Sequence, residues 1–396
     1  MTAAPPERLH VVQLGFFNDP ARRGPDELLE AWPSLADVAE AATQGQVRVS
    51  VVQACARVEV LERAGVRYHF LPFGEASGDH GLGPLIELLR GLRPHLLHVH
   101  GLDFPRQVLA LARLVPGAPI ILQDHASRPP AFWRRALLRR AFAAAGGVAF
   151  CAAEQARPFV AAGILTPRTP IYPIPESTSR FLPGDREAAR ETSGLAGDPA
   201  LLWVGHLDAN KDPLTILDAV SAAAQALPGM RLHCCFGVAP LRDAVEARIA
   251  RDPQLRGRVQ LWGRVAHLQV EQLMRAADLF VLGSHREGSG YALIEALACG
   301  LPPLVTDIPS FRALTGAGAI GHLWPCGDAG ALDAALRVAA RWDRDRARQT
   351  VRAHFERELS FAALGAKLAA MYREVAAREH HRAFGSSGCI PGSVSA

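Results

Sequence analysis

The sequence predicts an α/β fold in which two Rossmann-like domains, each with a parallel sheet, face each other across a cleft. Short apolar runs alternate with amphipathic stretches about every 20 to 30 residues, the spacing of parallel βαβ units. This alternation occurs twice, before and after a polar stretch rich in Gly and Pro at 183–199. A length of 396 residues is enough for two domains with a full core each.

Composition narrows the class of protein. Hydrophobic residues make up 49% and charged residues 21% of the chain, which is typical of a globular protein. A net charge of +4 suits polyanionic ligands but does not by itself indicate nucleic acid. The seven cysteines form no C-x-x-C pair, so we expect reduced thiols in a cytoplasmic protein, without a zinc site. No apolar run is long enough for a transmembrane helix, and the N-terminus does not resemble a signal peptide.

The first domain is predicted to span 1–182. Apolar runs predict its strands and amphipathic patterns its helices, with Pro94 closing one of them. In chain order we expect a strand at Leu9–Leu14, a helix at Leu28–Ala42, a strand at Val47–Val52, a short helix at Glu59–Ala64, a strand at Arg67–Leu71, a helix at Leu82–Leu92, strands at Leu96–Gly101 and Ile120–His125, a helix at Pro130–Ala145 and a strand at Val148–Cys151.

The second domain is predicted at 200–358, after a linker at 183–199. A helix at 359–379 is expected to cross back to the first domain, and 380–396 to be disordered. The expected elements are strands at Leu201–Val204, Arg231–Phe236, Val259–Trp262 and Asp278–Gly283, and helices at Pro213–Ala226, Leu241–Ala250, Val270–Ala276, Tyr291–Ala298, Ala331–Ala340 and Arg344–Arg357, with a further strand at Leu304–Thr306.

The stretch Ser284–Gly300, SHREGSGYALIEALACG, carries the clearest chemistry. The turn Gly288–Ser289–Gly290 precedes a helix, whose N-terminal amides and dipole favour an anion. Glu287 and Glu295 lie on either side of this turn, and carboxylates accept hydrogen bonds from hydroxyl groups. A ligand with a negative centre and hydroxyl-rich ends, such as a nucleotide-sugar, satisfies both features. Two unrelated surface carboxylates would be the simpler explanation of the spacing alone.

Three segments together carry a resemblance to a known family. They are SHREGSGYALIEALACGLPPLVTD, starting at Ser284, WVGHLDANKD over Trp203–Asp212, and RVQLWGRV over Arg258–Val265. Their order and content resemble the donor site of the retaining glycosyltransferases with the GT-B fold, group 1 or family 4. The resemblance implies transfer of a sugar from a nucleotide-diphosphate donor to an acceptor, glycan or lipid-linked, with retention at the anomeric carbon.

The resemblance also implies roles for individual residues. Glu295 would bind ribose hydroxyls, Glu287 the sugar hydroxyls, and Lys211 the diphosphate, whose negative charge grows as the glycosidic bond breaks. The remaining members of the implied site are the amides of Gly288, Ser289 and Gly290 at the diphosphate, Gly263, Arg264 and Val265 at the base, His206 where the family has Arg, and His125 at the sugar. We expect no metal ion, because amides and cations can offset the diphosphate charge. His100 follows a neighbouring strand and is a weaker candidate than His125.

Departures from the family pattern keep other functions open. The first loop has one glycine, Gly15, and Pro175-Glu176 stands where the family has Asn-Gly. A catalytically degenerate protein that binds nucleotide-sugars is one alternative. A sugar-nucleotide epimerase is another, but near first-domain strand ends only Asp103 and Asp124 could supply its acid and base.

The segment Pro130–Ala145, PAFWRRALLRRAFAAA, has two interpretations. It could make weak peripheral contact with the inner face of the plasma membrane, for a lipid-linked acceptor, since aromatic and arginine side chains suit an interfacial helix. It could equally be a surface helix that packs its apolar face on the sheet. We favour the second interpretation, because one such helix binds membranes weakly.

Overall fold

The computed structural model describes residues 8–73 and 79–385. The chain divides into two compact units. The first unit runs up to Glu176 and resumes at Leu364, and the second is Ser177–Ala363. In the described parts of the chain, no helix combines the length and the apolar character needed to cross a bilayer.

The first unit is built on an eight-stranded sheet in the order β3-β4-β2-β1-β5-β6-β7-β8. All neighbouring strands are parallel except β3 and β4, as expected for successive βαβ units. Its strands are β1 (His10–Gly15), β2 (Arg48–Ala54), β3 (Glu59–Arg63), β4 (Val66–Leu71), β5 (Leu96–His100), β6 (Ile120–Gln123), β7 (Gly147–Phe150) and β8 (Ile171–Pro173). Its helices are α1 (Pro25–Ala31), α2 (Pro33–Gln44), α3 (Gly83–Leu92), α4 (Pro105–Leu114), α5 (Arg135–Ala143) and α6 (Arg157–Ala161), with 3₁₀ turns at Asp79–Leu82, Phe132–Arg134 and Ala153–Ala156.

The core of the first unit lies on β1 and its neighbours. Every residue of β1 is buried, and the strand pairs with β2 on one side and β5 on the other, Leu14 opposite Val52 and Val99. A parallel strand that is covered on both faces has a nearly continuous apolar sequence. This is why β1 could be predicted from the sequence.

One predicted helix of the first unit is wrong. Glu59–Arg63 forms β3, an antiparallel edge strand in a hairpin with β4. Ala64 and Gly65 connect the two strands with φ values of 50° and 76°. Two left-handed residues in succession are the geometry of a tight hairpin turn, which the helical pattern of the short segment concealed. The helix predicted over Leu28–Ala42 is also divided, because Pro33 starts a new helix after Trp32.

The last helix, α15 (Phe361–Gly385), begins at the end of the second unit and belongs mostly to the first. Its Gly365 lies so close to α2 that a Cβ there would be 2.1 Å from the Ala41 carbonyl oxygen. Tyr372 is fully buried, and its hydroxyl accepts a hydrogen bond from Gln13 at 3.2 Å and meets His98 at 2.8 Å. Residues 380–385, which we expected to be disordered, continue this helix. The rest of that predicted tail lies outside the described residues.

The second unit has a six-stranded, wholly parallel sheet in the order β11-β10-β9-β12-β13-β14. Its strands are β9 (Ala200–Gly205), β10 (Arg231–Phe236), β11 (Val259–Gly263), β12 (Leu279–Leu282), β13 (Pro303–Thr306) and β14 (His322–Trp324). Its helices are α7 (Arg186–Ser193), α8 (Pro213–Ala223), α9 (Arg242–Arg251), α10 (His267–Ala276), α11 (Tyr291–Ala298), α12 (Pro309–Thr315), α13 (Ala329–Ala339) and α14 (Arg344–Glu358).

The segment predicted as a linker, 183–199, contains the helix α7. Asp185 caps it by accepting a hydrogen bond from the Ala188 amide at 2.8 Å. Arg186 and Arg190 on this helix bind the buried carboxylate of Asp278 at 2.6 and 2.8 Å. The polar composition that suggested a linker therefore supplies the ion pairs that hold α7 within the second unit.

Candidate functional site

The glycine loop of the second unit has the predicted strand, loop and helix arrangement. It connects β12 to α11, and Ser289 within it is fully buried. Gly290 precedes the helix with φ of 84°, and a Cβ there would lie 2.7 Å from the Phe311 ring. Both the left-handed backbone and the close ring require glycine at this position. The loop thus places the positive end of the α11 dipole at the carboxyl edge of the sheet, where an anion is favoured.

The loops after β9 and β12 are joined by backbone contacts. The His285 amide donates to the Asn210 carbonyl at 2.8 Å, and the Asn210 side-chain amide donates to the Arg286 carbonyl at 2.9 Å. A Cβ on Gly283 would lie 3.2 Å from the carbonyl oxygens of Lys211 and Asp212. The predicted diphosphate lysine and the predicted glycine loop are therefore adjacent parts of one site.

Lys211 and Glu287 meet at this junction. The Lys211 ammonium is ion-paired with the Glu287 carboxylate, and their side chains are only 16% and 13% exposed. The Lys211 amide also donates to Asp208 at 2.9 Å, which fixes the backbone before the side chain. A largely buried ion pair holds both groups in position more firmly than a pair in full contact with water.

Glu295 lies on α11 and has a partner that the sequence analysis missed. Its carboxylate is 2.6 Å from Nε2 of His267, the first residue of α10, and the His267 ring packs on Phe181 at 4.6 Å. His267 follows the loop at Gly263, Arg264 and Val265, which we predicted at the base. Gly263 has φ of 68°, so the chain turns sharply after β11. His267 comes only two residues after Val265 in the sequence. This proximity to the predicted base loop is the signal that could have identified His267 as a site residue.

His206 is exposed and contacts the backbone of a neighbouring loop. Its Nδ1 accepts a hydrogen bond from the Val238 amide at 3.3 Å. His206 therefore holds the start of the loop after β10 by this hydrogen bond. The cation in contact with Glu287 is Lys211.

The histidines of the first unit lie together at the carboxyl ends of β5 and β6. Nδ1 of His125 forms an ion-pair contact with the Glu176 carboxylate, and Nε2 of His125 lies 3.1 Å from Nδ1 of His100. Burial lowers the pKa of His125, but the bond to Glu176 and its charge outweigh that effect, so the pKa is raised. Burial, with His98 and His125 nearby, keeps the pKa of His100 well below its ordinary value. No pattern in the sequence indicated Glu176 as a partner of His125.

Two more titratable groups border this cluster. Asp124, directly after β6, accepts a hydrogen bond from the Ser127 amide at 2.9 Å, and burial raises its pKa to about 6. His98 is fully buried beside Tyr372, and burial lowers its pKa to about 3. His98 is therefore neutral near pH 7, whereas His125 is the histidine of the cluster that carries charge most readily.

An Asp-x-Asp triplet, Asp343 to Asp345, was overlooked in the sequence analysis, and this triplet often signals a metal site. Asp343 caps α14 by accepting a hydrogen bond from the Arg346 amide at 3.0 Å. Helix capping therefore explains Asp343 by local structure.

The described cysteines are free, and all but Cys326 are buried. Burial raises the pKa of the Cys235 thiol to about 12 and that of Cys299 also to about 12. Such thiols remain protonated and unreactive near neutral pH.

Comparison with known proteins finds matches to the part of the chain that contains these residues. The family model described as "Glycosyl transferases group 1" matches residues 185–353, which include Lys211, the glycine loop and Glu295. A curated relative, the GDP-mannose:cellobiosyl-diphosphopolyprenol alpha-mannosyltransferase of Xanthomonas campestris, is 28% identical over 229 residues. That match covers 55% of this chain and 57% of the relative.

Solved structures resemble the chain over nearly its whole length. A glycosyltransferase from Rickettsia africae has a TM-score of 0.71 at 13% identity, covering 93% of this chain and 98% of its own. Sucrose-phosphate synthase from Thermosynechococcus elongatus has a TM-score of 0.66 at 19% identity, covering 94% and 100%. At these identities the likeness shows the fold, and it confirms the predicted GT-B class. The family match shows that residues 185–353 are similar to the group 1 glycosyltransferases.

Proposed function

We propose that this protein transfers a sugar from a nucleotide-diphosphate donor to an acceptor, with retention at the anomeric carbon. The observation that carries the proposal is the Lys211–Glu287 ion pair at the start of the glycine loop. It joins a cation suited to a diphosphate with a carboxylate suited to sugar hydroxyls, beside a helix N-terminus. The ion pair is also supported by its surroundings, because a glycine that no other residue could replace without strain lies beside it and hydrogen bonds join the two loops that carry it.

Each residue of the candidate site has its own role in the proposed transfer. The diphosphate gains negative charge as its bond to the sugar breaks, and the Lys211 ammonium and the α11 dipole stabilise that charge. Because these groups offset the charge, we propose that no metal ion is required. When the diphosphate engages Lys211, Glu287 is released to accept hydrogen bonds from sugar hydroxyls. Glu295, held by His267, binds the ribose, and Gly263 to Val265 lie along the base. His125 orients the sugar.

The donor and acceptor are proposed from the Xanthomonas relative, whose name specifies GDP-mannose and a cellobiosyl-diphosphopolyprenol. We propose GDP-mannose as the first donor to test and a diphosphopolyprenol-linked saccharide as the first acceptor. Because the match spans little more than half of that relative, the test should also include UDP- and ADP-linked sugars.

A lipid-linked acceptor fits one surface feature of the first unit. Phe132 and Trp133, before α5, are 74% and 70% exposed and pack on each other with ring centroids 5.0 Å apart. The apolar face of α5, with Leu138 and Phe142, is already buried, so these two rings are not needed for the core. Seven arginines and one aspartate lie within 104–150, a positive segment that suits anionic headgroups. We propose weak peripheral membrane contact here, with the protein on the cytoplasmic side.

Sedimentation with lipid vesicles tests this contact. Binding to vesicles with a third phosphatidylglycerol, but not to pure phosphatidylcholine vesicles, supports it, and Trp133→Ala should weaken that binding. Val338→Ala, at an exposed apolar residue of the second unit, is the matched control. Equal binding of the wild-type chain and Trp133→Ala would contradict the proposal.

The transfer itself is tested with a nucleotide panel. Calorimetry identifies the nucleotide that binds, and the matching nucleotide-sugars are then incubated with the chain and the acceptor. Release of nucleoside diphosphate and a product with the donor's anomeric configuration, read by NMR, support the proposal. Conversion of the sugar without nucleotide release would indicate an epimerase. Binding without either reaction would indicate a degenerate nucleotide-sugar-binding protein, and each of these results would contradict transfer.

A further inference from the structure

Glu176 is the last residue of the first unit before the chain enters the second. It follows β8, and its side chain is only 6% exposed. Its carboxylate bonds to Nδ1 of His125, which comes directly after β6. A buried carboxylate on one ring nitrogen sets both the orientation of an imidazole and which nitrogen carries a proton.

The other ring nitrogen of His125 is also engaged. Nε2 lies 3.1 Å from Nδ1 of His100, so the three side chains form the series Glu176, His125, His100. Nε2 of His100 is buried and has no hydrogen-bond partner among the described residues. His100 ends β5, the strand next to β6 in the sheet, so its ring is held by a regular element.

We propose that Glu176 is a positioning residue for sugar transfer, one that orients the His125 ring and keeps it cationic, so that its Nε2–H can donate a hydrogen bond to a substrate oxygen. The inference rests on the proposed function, because it deepens the role assigned there to His125. Glu176 acts through His125 and does not itself touch the substrate.

The groups around His125 support this assignment. They are His98 and His100 on β5, Asp124 after β6 and Glu176 after β8. His98 and His100 are neutral because burial lowers their pKa values. Burial also lowers the pKa of His125 itself, and it is chiefly Glu176, with a smaller contribution from Asp124, that raises it again. Asp124 is engaged by the Ser127 amide, which leaves Glu176 as the direct partner.

The contact between His125 and His100 also explains how the Nε2–H of His125 stays available to a substrate. With His125 cationic, its Nε2–H donates to Nδ1 of His100. The proton remains on His125, because the pKa of His100 lies well below its ordinary value. A substrate oxygen can then replace His100 as the acceptor of that hydrogen bond. No bond to hydrogen breaks in this exchange, and His100 regains the contact when the product leaves.

The test compares Glu176→Gln, which removes the charge but keeps the size, with Glu176→Asp, which keeps the charge. The ring carbons of ¹³C-histidine are titrated by NMR in the full ligand-free chain, with His125→Gln used to assign the signal. The pH dependence of nucleoside diphosphate release is then measured with the donor that the wild type uses. Glu87→Gln, an exposed glutamate on α3, is the control.

We expect Glu176→Gln to lower the pKa of His125 by about one unit or more, since one unit corresponds to a modest change in charge interaction. Turnover requires the cation, so it is lost as pH rises through the pKa of His125. The alkaline limb of the kcat profile should therefore move to lower pH, and above the pKa of both forms that one-unit shift should reduce kcat about 10-fold with KM little changed. Glu176→Asp should restore most of the profile, and Glu87→Gln should match the wild type.

Other results would overturn the inference. A lowered pKa of His125 with an unchanged pH profile would make Glu176 a structural partner only. An unchanged pKa in Glu176→Gln would show that the two side chains are not coupled. Wild-type chain that turns over no donor at any pH would refute the proposed function, and the positioning role with it. Failure of the proposed function is thus distinguished from failure of the positioning role, because it is seen in the wild type alone, before any variant is compared.

Discussion

Lys211 and Glu287 are 76 positions apart in the sequence and form an ion pair where the loops after β9 and β12 meet. Both were assigned to the donor from separate motifs, Lys211 to the diphosphate and Glu287 to the sugar. Under the proposed function, an incoming diphosphate would compete with Glu287 for the ammonium. The ion pair would then hold each group in place before the donor binds.

Removing either member of this pair should stop transfer. We expect Lys211→Ala to lower kcat by about 100-fold or more, the usual effect of losing one group that stabilises developing charge. Glu287→Ala should cost about as much, because the sugar is then no longer held in position for reaction. Release of nucleoside diphosphate from the active donor measures the loss. Lys367→Ala, at the second lysine of the chain, is the matched control and should retain activity. Circular dichroism should show an unchanged fold, and wild-type turnover in either site variant would refute its role.

The Glu295–His267 pair should affect donor binding more than chemistry. Glu295→Gln removes a charge-assisted acceptor of ribose hydroxyls, so we expect KM for the donor to rise about 10-fold with a smaller change in kcat. His267→Gln should have a similar but weaker effect, because His267 acts through Glu295. Calorimetry with the free nucleoside diphosphate gives the same comparison without turnover. Equal nucleotide affinity in Glu295→Gln and the wild type would place the ribose elsewhere.

Gly290→Ala should destabilise the second unit. The added Cβ would lie 2.7 Å from the Phe311 ring, on a backbone with φ of 84°. Strain and overlap together predict a loss of about 2 kcal/mol in the free energy of unfolding. Gly237→Ala is the control, because its φ is ordinary and a Cβ there meets nothing within 4 Å. Denaturant unfolding of both variants measures the difference, and equal midpoints would contradict the assigned contact.

Acidification should destabilise the fold partly through His98. Burial lowers the pKa of His98 from 6.5 to about 3, so below pH 6.5 the unfolded chain binds a proton that the folded chain does not. Stability is therefore complete above about pH 6.5 and declines as the pH falls toward 3. The free energy of unfolding, measured in urea at pH 7.5 and 5.5, should fall less between these values in His98→Gln than in the wild type. His322→Gln, at an exposed histidine, should behave like the wild type.

Local patterns allowed much of this structure to be predicted. The β12, glycine loop and α11 unit lies within one continuous stretch, so its strand, turn and helix could be recognised together. The hairpin at β3 could not, because it depends on a left-handed Ala64 that no propensity favours. Partners that lie far apart in the sequence were also missed. Glu176 is 51 residues from His125, and its role became visible only when β6 and β8 were placed in one sheet.

The path of α15 has a practical consequence for dissecting the protein. The first unit needs both ends of the polypeptide, since Tyr372 fills its interior and Gly365 docks against Ala41. The second unit is one uninterrupted stretch, Ser177–Ala363. A gene fragment encoding that stretch should yield a folded nucleotide-binding half by itself. A fragment that stops at Glu176 should be insoluble unless the terminal helix is supplied as a separate peptide.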